Sequence, residues 1–342
     1  MNEEKLREQG QQIENILRAM GISSYLRNCE ENEIVQRFDF DMHDLRYFKK
    51  LNMAVDVLNA CLHKKVQLAQ SKTNHFAVEI AQEVGVLVYD NYKNIEDEDK
   101  YTAVIGLDNS ALPVKFNIKE AIHTLVGGAT GMGKTTLVNN LIYALAKKNT
   151  KDTLQIAIID TKKTLSMWDN LPLLIEKPAT DGYKASDLLL KIISIMQKRH
   201  TELAKKKIKE ATDDMFPRIL VVVDELADLM LASNRKYVEE DLMRIAQLGR
   251  SVNINLFLAT QNPIVKVCTS LIKANCPTRI ALKTVSTRDS MNILDDKRAK
   301  DLNGKGYAVM MQNAEYRNFK CLYVGDDEIS NYLKEKKNDS KN

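Results

Sequence analysis

The residues with the clearest chemical potential are Gly128-Ala129-Thr130-Gly131-Met132-Gly133-Lys134-Thr135. They satisfy the pattern G-x-x-x-x-G-K-[ST] at every fixed position. Glycines so placed let the backbone turn tightly and aim its N–H groups at an anion. A lysine at the seventh position reaches β- and γ-phosphates, and the hydroxyl after it suits Mg²⁺. The loop follows a short apolar run, 122–126, and opens a helix carrying Leu137, Val138, Leu141, Ile142 and Leu145. That context sets a helix N-terminus against the phosphates. Residues Gly128 through Thr136 are therefore the predicted nucleotide contacts, with ATP and Mg²⁺ as ligands.

A second strand-like run, Ile219 to Val223, ends in Asp224-Glu225, and Asp224 lies 90 residues after Lys134. An acid delivered there by a buried strand can complete the metal shell. The glutamate next to it is placed to orient and deprotonate a water, which favours hydrolysis over transfer to a small acceptor. Asn255 to Ala259 forms another run, ending in Thr260-Gln261, and Gln261 is a candidate to sense the γ-phosphate or position water. Asp160-Thr161-Lys162 ends the run from Leu154 to Ile159. Its role stays open between local ion pairing and a contribution to the site.

Such groups need elements that bring them to one edge. Continuous β-branched runs separated by helices predict an α/β fold with a mostly parallel sheet covered on both faces. Ligands then bind beyond the C-terminal ends of the strands. A long charged helix is expected over about 186–209. Before residue 101 the pattern differs. Ile13, Ile16, Leu17 and Met20 recur at helical spacing before Gly21, and Phe38, Phe40 and Met42 alternate with acids as in a half-buried strand. Asp44 suits the cap of a helix reaching about Leu62, and Phe76, Val78 and Ile80 mark another strand. The expected division is a small α+β domain over 1–100, with 91–100 as linker or surface loop, a nucleotide-binding domain over 101–328, and a polar flexible tail over 329–342.

Composition narrows the classes. The 342 residues include 50 Lys+Arg and 46 Asp+Glu, a net charge of +4, with 44% hydrophobic residues. Global disorder is excluded. No apolar run approaches the roughly 18 residues of a membrane span, so no membrane insertion and a cytoplasmic location are expected. Five scattered cysteines and five scattered histidines show no metal-ligand spacing. Cations cluster late in the long helix and beyond it, at Lys191, Lys198, Arg199, Lys205, Lys206, Lys207 and Lys209. Clustered cations are what a phosphate backbone requires, and the last four are the candidate DNA contacts, the alternative being a solvated helix face.

The segments His123–Gly131, Val221–Met230, Leu256–Gln261 and Leu271–Ala281, with Asp289-Ser290 and Ile293-Leu294-Asp295, together resemble the motor region of the FtsK/SpoIIIE DNA translocases. These belong to the HerA/FtsK group of RecA-like ring ATPases. The likeness runs over about residues 10–325, and the front third is similar to the family's small α-domain. It implies a RecA-like P-loop NTPase that assembles as a homo-oligomer, a hexameric ring, threading double-stranded DNA and hydrolysing ATP between subunits. Such rings need a cation supplied in trans. Arg250, 11 residues before Gln261, is the first candidate and Arg279 the second. Departures are Met132 where the family usually has Ser, Thr161 in place of a Pro, and Asn262 in place of an Arg. No anchor, long linker or winged-helix reader of DNA sequence is visible, which points to a plasmid, phage or other mobile element rather than a chromosome. Two alternatives stand beside the duplex-DNA motor: a conjugation or secretion coupling ATPase moving single-stranded DNA or protein, and a nucleotide-dependent assembly or adaptor ring without motor activity.

Overall fold

The computed structural model describes residues 3–339 apart from 33, 43–44, 65, 71–74, 83–84 and 96. It divides into two units, Met1–Val86 with Asp108–Leu112, and Leu87–Leu107 with Pro113–Asn342. The first is α+β. Its elements are α1 (Glu3–Ala19), β1 (Ser24–Glu31), β2 (Val35–Met42), α2 (Phe48–Leu62), β3 (Val66–Gln70) and β4 (His75–Ala81). The strands form an antiparallel sheet in the order β1-β2-β4-β3. Alternation along β2 buries Phe38, Phe40 and Met42 against Ile13, Leu17, Leu51 and Leu58 of the two helices. Gly21 stops α1 with φ +74°, where Ile22 N–H reaches back to the Leu17 carbonyl at 2.9 Å. The expected cap Asp44 lies outside the described residues. The edge strands β1 and β3 had no clear signature, because an edge strand with one wet face carries few apolar residues.

The second unit holds β5 (Leu87–Val88), β6 (Thr102–Asp108), β7 (Pro113–Asn117), β8 (His123–Gly127), α3 (Lys134–Lys148), β9 (Leu154–Ile159), α4 (Gly182–Lys206) and β10 (Arg218–Val223). It continues through α5 (Leu226–Met230), α6 (Arg235–Leu248), β11 (Ile254–Thr260), α7 (Ser270–Asn275), β12 (Thr278–Leu282), α8 (Thr287–Leu294), β13 (Tyr307–Gln312), β14 (Glu315–Tyr323) and α9 (Asp326–Asp339). One large sheet runs β7-β6-β14-β13-β12-β8-β11-β10-β9, with β5 beside β14. The block β12-β8-β11-β10-β9 is parallel throughout. Strands β13 and β14 extend it in antiparallel fashion, so the sheet is mixed, with the predicted parallel sheet as its core. Every residue of β8, β10 and β11 is buried, as covered strands require. Helices α4, α5 and α6 bury Leu188, Ile192, Met196, Leu229, Leu242 and Ile245 against Val221, Val223, Leu256 and Leu258.

Three expectations change. The described residues between 91 and 100 belong to the second unit as surface structure, the loop alternative, and do not serve as a linker. Tyr89 is buried edge-on against Tyr143 at 5.5 Å, and Lys148 Nζ donates to the Asp97 carbonyl at 2.7 Å. The polar stretch from 329 is helix, not flexible tail, through Asp339. Ile329 and Tyr332 lie three apart on one face and are buried, Leu333 beside them is half-buried, and the Tyr332 hydroxyl donates to the Ala146 carbonyl at 2.8 Å. The long helix starts at Gly182 and ends at Lys206, because the Asp181 carboxylate accepts from the N–H groups of Tyr183 and Lys184, and Lys207 turns left-handed at φ +54°. Among the described residues no helix is long and apolar enough to cross a membrane.

His123, at the start of β8, is 3% exposed and accepts the Leu256 N–H on Nδ1 at 3.1 Å. Burial pushes its imidazole down to about 4 from an ordinary 6.5. The unfolded chain therefore binds a proton between those values that the folded chain refuses, and stability rises with pH across that window. The full difference is about 3 kcal/mol. Thermal melts should lose Tm steeply from pH 6.5 to 4, and His123→Asn, which keeps an acceptor, should flatten that slope.

Candidate nucleotide-binding site

Strands β8, β11 and β10 end side by side, so the loops after them share one edge. The loop after β8 carries the glycine-rich motif. Gly131 and Gly133 have φ of +76° and +106°, values that a side chain disfavours. The loop is braced from outside. Ala129 N–H donates to the Lys283 carbonyl at 2.9 Å, and Gly306 N–H donates to the Met132 carbonyl at 2.9 Å. These braces come from the end of β12 and the turn before β13, and sequence reasoning missed both. Their only local sign is Gly304-Lys305-Gly306, where all three residues have positive φ.

Lys134 opens α3 and is 4% exposed. Its Nζ donates to the Asp224 main-chain carbonyl and lies 3.4 Å from Asp224 Oδ1 and 4.0 Å from Glu225 Oε2. The two predicted motifs thus converge. Asp224 Oδ2 also accepts the Thr164 hydroxyl at 2.6 Å, a contact with no motif to announce it. Glu225 Oε1 accepts the Thr260 hydroxyl at 2.7 Å, and Gln261 N–H approaches both carboxylate oxygens at 3.1 and 3.2 Å. Lys162 Nζ donates to Oε2 at 2.9 Å. The open question over Asp160-Thr161-Lys162 therefore resolves toward this carboxylate cluster. Gln261 Oε1 accepts the Thr130 hydroxyl at 2.8 Å, linking the glycine-rich loop to the end of β11.

Burial alone would raise the Glu225 carboxyl. Hydrogen bonds from Lys162 and Thr260, the charge of Lys134 and the Gln261 N–H outweigh it, and hold the group below its ordinary value. Lys162 shows the mirror effect, its ammonium raised against desolvation by Glu225 and nearby Asp228 and Asp224. The donor set also bears on a metal. Among the described residues no three His, Cys, Asp or Glu side chains gather to cage one. The hydroxyl of Thr135 and the carboxylate of Asp224 are hard oxygen donors, suited to Mg²⁺ that keeps phosphate and water ligands. The residues fit that ion and would hold it through these two side chains.

The candidate cations for a neighbouring subunit separate. Arg279 is 12% exposed and spends its donors internally, on Asp295 and on the carbonyls of Cys276, Ile293 and Lys273. It braces α7, β12 and α8, which gives Arg279 a structural role within its own chain. Arg250 is exposed at the opposite end of β11 from Gln261, about 20 Å away at 3.3 Å per residue over seven residues. It cannot serve its own site. Lys205, Lys206, Lys207 and Lys209 are all exposed. Arg199 is not one of this set: it is buried and donates to the Val252 and Pro217 carbonyls at 2.7 and 2.8 Å. Lys191 pairs with Glu176. Ala211 N–H donates to the Ser251 carbonyl at 2.8 Å, which puts the lysine cluster and Arg250 on the same edge of the sheet.

A parallel core with a glycine-rich loop on its first strand, and acids on a strand two positions away, defines the P-loop ATPase fold. Two solved structures share it. The pCW3 conjugation coupling protein TcpA, monomer form with ATPγS, superposes with a TM-score of 0.67 at 20% identity, over 96% of this chain and 99% of that one. The cytoplasmic domain of the type VII secretion ATPase EccC from Thermomonospora curvata gives 0.64 at 21% identity, over 73% of this chain and 34% of that one. The FtsK/SpoIIIE family model matches residues 87–215 and 209–265, and the chain belongs to that family. Among its relatives, DNA translocase SftA of Bacillus subtilis is 35% identical over 67% of this chain and 25% of that protein. DNA translocase FtsK of Halalkalibacterium halodurans is 29% identical over 90% of this chain. The chain spans 42% of that second relative's length, so it covers less than half of either.

Removing Arg279 should act on folding. Arg279→Gln is expected to cost about 1–3 kcal/mol, read by urea titration, whereas Arg250→Gln should leave the midpoint within about 0.5 kcal/mol. An equal loss for both would reverse this division of roles.

Proposed function

We propose that the chain is an ATP-driven translocase of double-stranded DNA that works as a homo-oligomeric ring, a hexamer, for a plasmid, phage or other mobile element. The observation that carries this reading is the convergence of Lys134, Asp224 and Glu225 beneath the glycine-rich loop. ATP enters that loop, whose N–H groups and helix N-terminus favour its phosphates. Lys134 leaves Asp224 for the β- and γ-phosphates. Thr135 and Asp224 would hold Mg²⁺, which would supply charge neutralisation at those phosphates. Glu225 takes the proton of the attacking water. Gln261, bonded on one side to Thr130 and on the other to Glu225, carries the state of the phosphate site into β11. Arg250 of a neighbouring copy is the cation for the transferred group. The lysines at Lys205 to Lys209 are the duplex contacts.

The near-complete overlap with the TcpA fold favours a second reading, a coupling ATPase of conjugation or secretion, although that likeness is of fold alone. Turnover stimulated by duplex but not by single strands or protein separates the two. Binding of ATP without turnover under any of these conditions would leave only an adaptor ring.

Lys134→Ala should abolish nucleotide-dependent turnover. Glu225→Gln should bind ATP and lose about 10²–10⁴-fold in kcat; a normal rate would remove Glu225 as the base. Exchanging Lys205, Lys206, Lys207 and Lys209 for Gln should weaken duplex binding and flatten its salt dependence by about 0.9 in log–log slope per lost phosphate contact. An unchanged slope would move the DNA path elsewhere.

A further inference from the structure

We infer that Lys162 is a positioning residue for hydrolysis, holding the Glu225 carboxylate so that Oε2 faces the phosphates. This rests on the hydrolytic reading above.

The two oxygens of Glu225 are anchored differently. Oε1 is fixed from its own side of the sheet, by Thr260 Oγ1 at 2.7 Å, Gln261 N–H at 3.2 Å and Ala227 N–H at 3.3 Å. Oε2 is the oxygen 4.0 Å from Lys134 Nζ, so it is the one turned toward the phosphate site. Its short donor is Lys162 Nζ at 2.9 Å, and its other partner is the Gln261 N–H, shared with Oε1. Both oxygens turn together about the terminal torsion, which is broad, and donors gathered mainly on Oε1 leave that torsion room to rock. Lys162 removes that freedom. Its importance grows when ATP binds, because the neighbouring cation Lys134 is then engaged with phosphate.

The loop carrying Lys162 is built to be stiff. Asp160, 2% exposed, accepts Thr164 N–H on Oδ1 at 3.0 Å and Leu165 N–H on Oδ2 at 2.7 Å, closing the turn on itself. Thr161 Oγ1 donates to Asp228 at 2.5 Å, and Thr164 Oγ1 donates to Asp224 at 2.6 Å. Three side chains of one turn thus reach three acids at or just after the end of β10. A surface ion pair needs no such support. The Glu225 end of the pair is 2% exposed while the Lys162 end is 39% exposed, so the loop offers its cation to a carboxylate already withdrawn from water. A general base misaimed by about 1 Å costs up to about 100-fold in rate, which is the scale on which this contact acts.

The test compares Lys162→Met, Lys162→Gln and Lys162→Arg in the full chain, with steady-state ATPase and binding of a fluorescent ATP analogue measured on each. Lys162→Met should lower kcat by about 10- to 100-fold, with KM and nucleotide Kd within about threefold of wild type. Lys162→Arg should restore part of the rate and Lys162→Gln less. Placed in Glu225→Gln, Lys162→Met should reduce single-turnover rate no further, since its partner carboxylate is gone. A kcat within threefold of wild type would overturn the proposal, as would a rise, which would make Lys162 a restraint. A parallel change in KM and Kd would also overturn it by making Lys162 a phosphate ligand. An additive loss in the double variant does the same. A wild-type chain without ATPase activity would instead remove the hydrolytic reading itself.

Discussion

The structure depends on placing a lysine and two carboxylates together where water is nearly absent. Lys134, Asp224 and Glu225 are 4%, 0% and 2% exposed. Withdrawing each ion from water costs several kcal/mol, and a well-packed apolar trio would be at least as stable. Stability therefore does not account for the arrangement. Around it the chain places neutralising contacts: Thr164 and the Lys134 ammonium at Asp224, Thr260 and Lys162 at Glu225. Removing one partner would leave a buried charge uncompensated, which couples the loop after β9, the ends of β10 and β11 and the first turn of α3 into one unit. Under the proposed function ATP would offer Lys134 an alternative partner, so the cluster could hold alone and still be convertible.

The parallel core supplies the geometry, and main-chain contacts from the end of β12 and the turn before β13 supply the stiffness. Parallel strands ending in register put Gly127, Val223 and Thr260 on one edge without any contact having to be specified at long range. The glycine-rich loop itself has few side chains with which to hold its shape. Its Ala129 N–H and Met132 carbonyl are tied to Lys283 and Gly306, which belong to the region of β12 and β13. Gly133 lies against Gly306, and a Cβ on Gly133 would crowd the Gly306 backbone at 3.0 Å. Strands that bring no acid, base or hydroxyl to the site thus keep its anion-binding loop open.

What was legible in the sequence follows from how local each signal is. Asp224, Glu225 and Gln261 were visible because they follow buried apolar strands, and Lys134 because it closes a fixed glycine-rich pattern at the start of α3; neither signal needs knowledge of partners. The central strands and the helices between them were visible for the same reason. Lys162 was visible as a polar strand end but not as a partner of Glu225, which is 63 residues away. Thr164 was silent, since a threonine in a turn has many ordinary uses. The braces on the glycine-rich loop are main-chain contacts and leave almost no mark on residue type. The internal bonds of Arg279 were not legible, because an arginine in a family-like segment reads the same whether its donors face a neighbour or the carbonyls of its own α7 and α8. Helix α9 was hidden by its polarity; only Ile329 and Tyr332 mark its buried face.

The two edges of the core differ in charge, and the difference constrains assembly. The edge beyond the C-terminal strand ends carries the acids and would carry the phosphates. The opposite edge carries Arg250 and the lysines from Lys205 to Lys209, joined through Ala211 and Ser251. Because these cations share one edge, the proposed roles for them are not independent. If Arg250 enters a neighbour's phosphate site, the lysines must lie at the margin of that same junction, and DNA they touch would run beside it. Duplex engagement and insertion of the arginine would then be mechanically one event. A net charge of only +4 would be enough for the proposed motor, because cations would be needed on one edge of each copy and a ring would repeat that edge around its path.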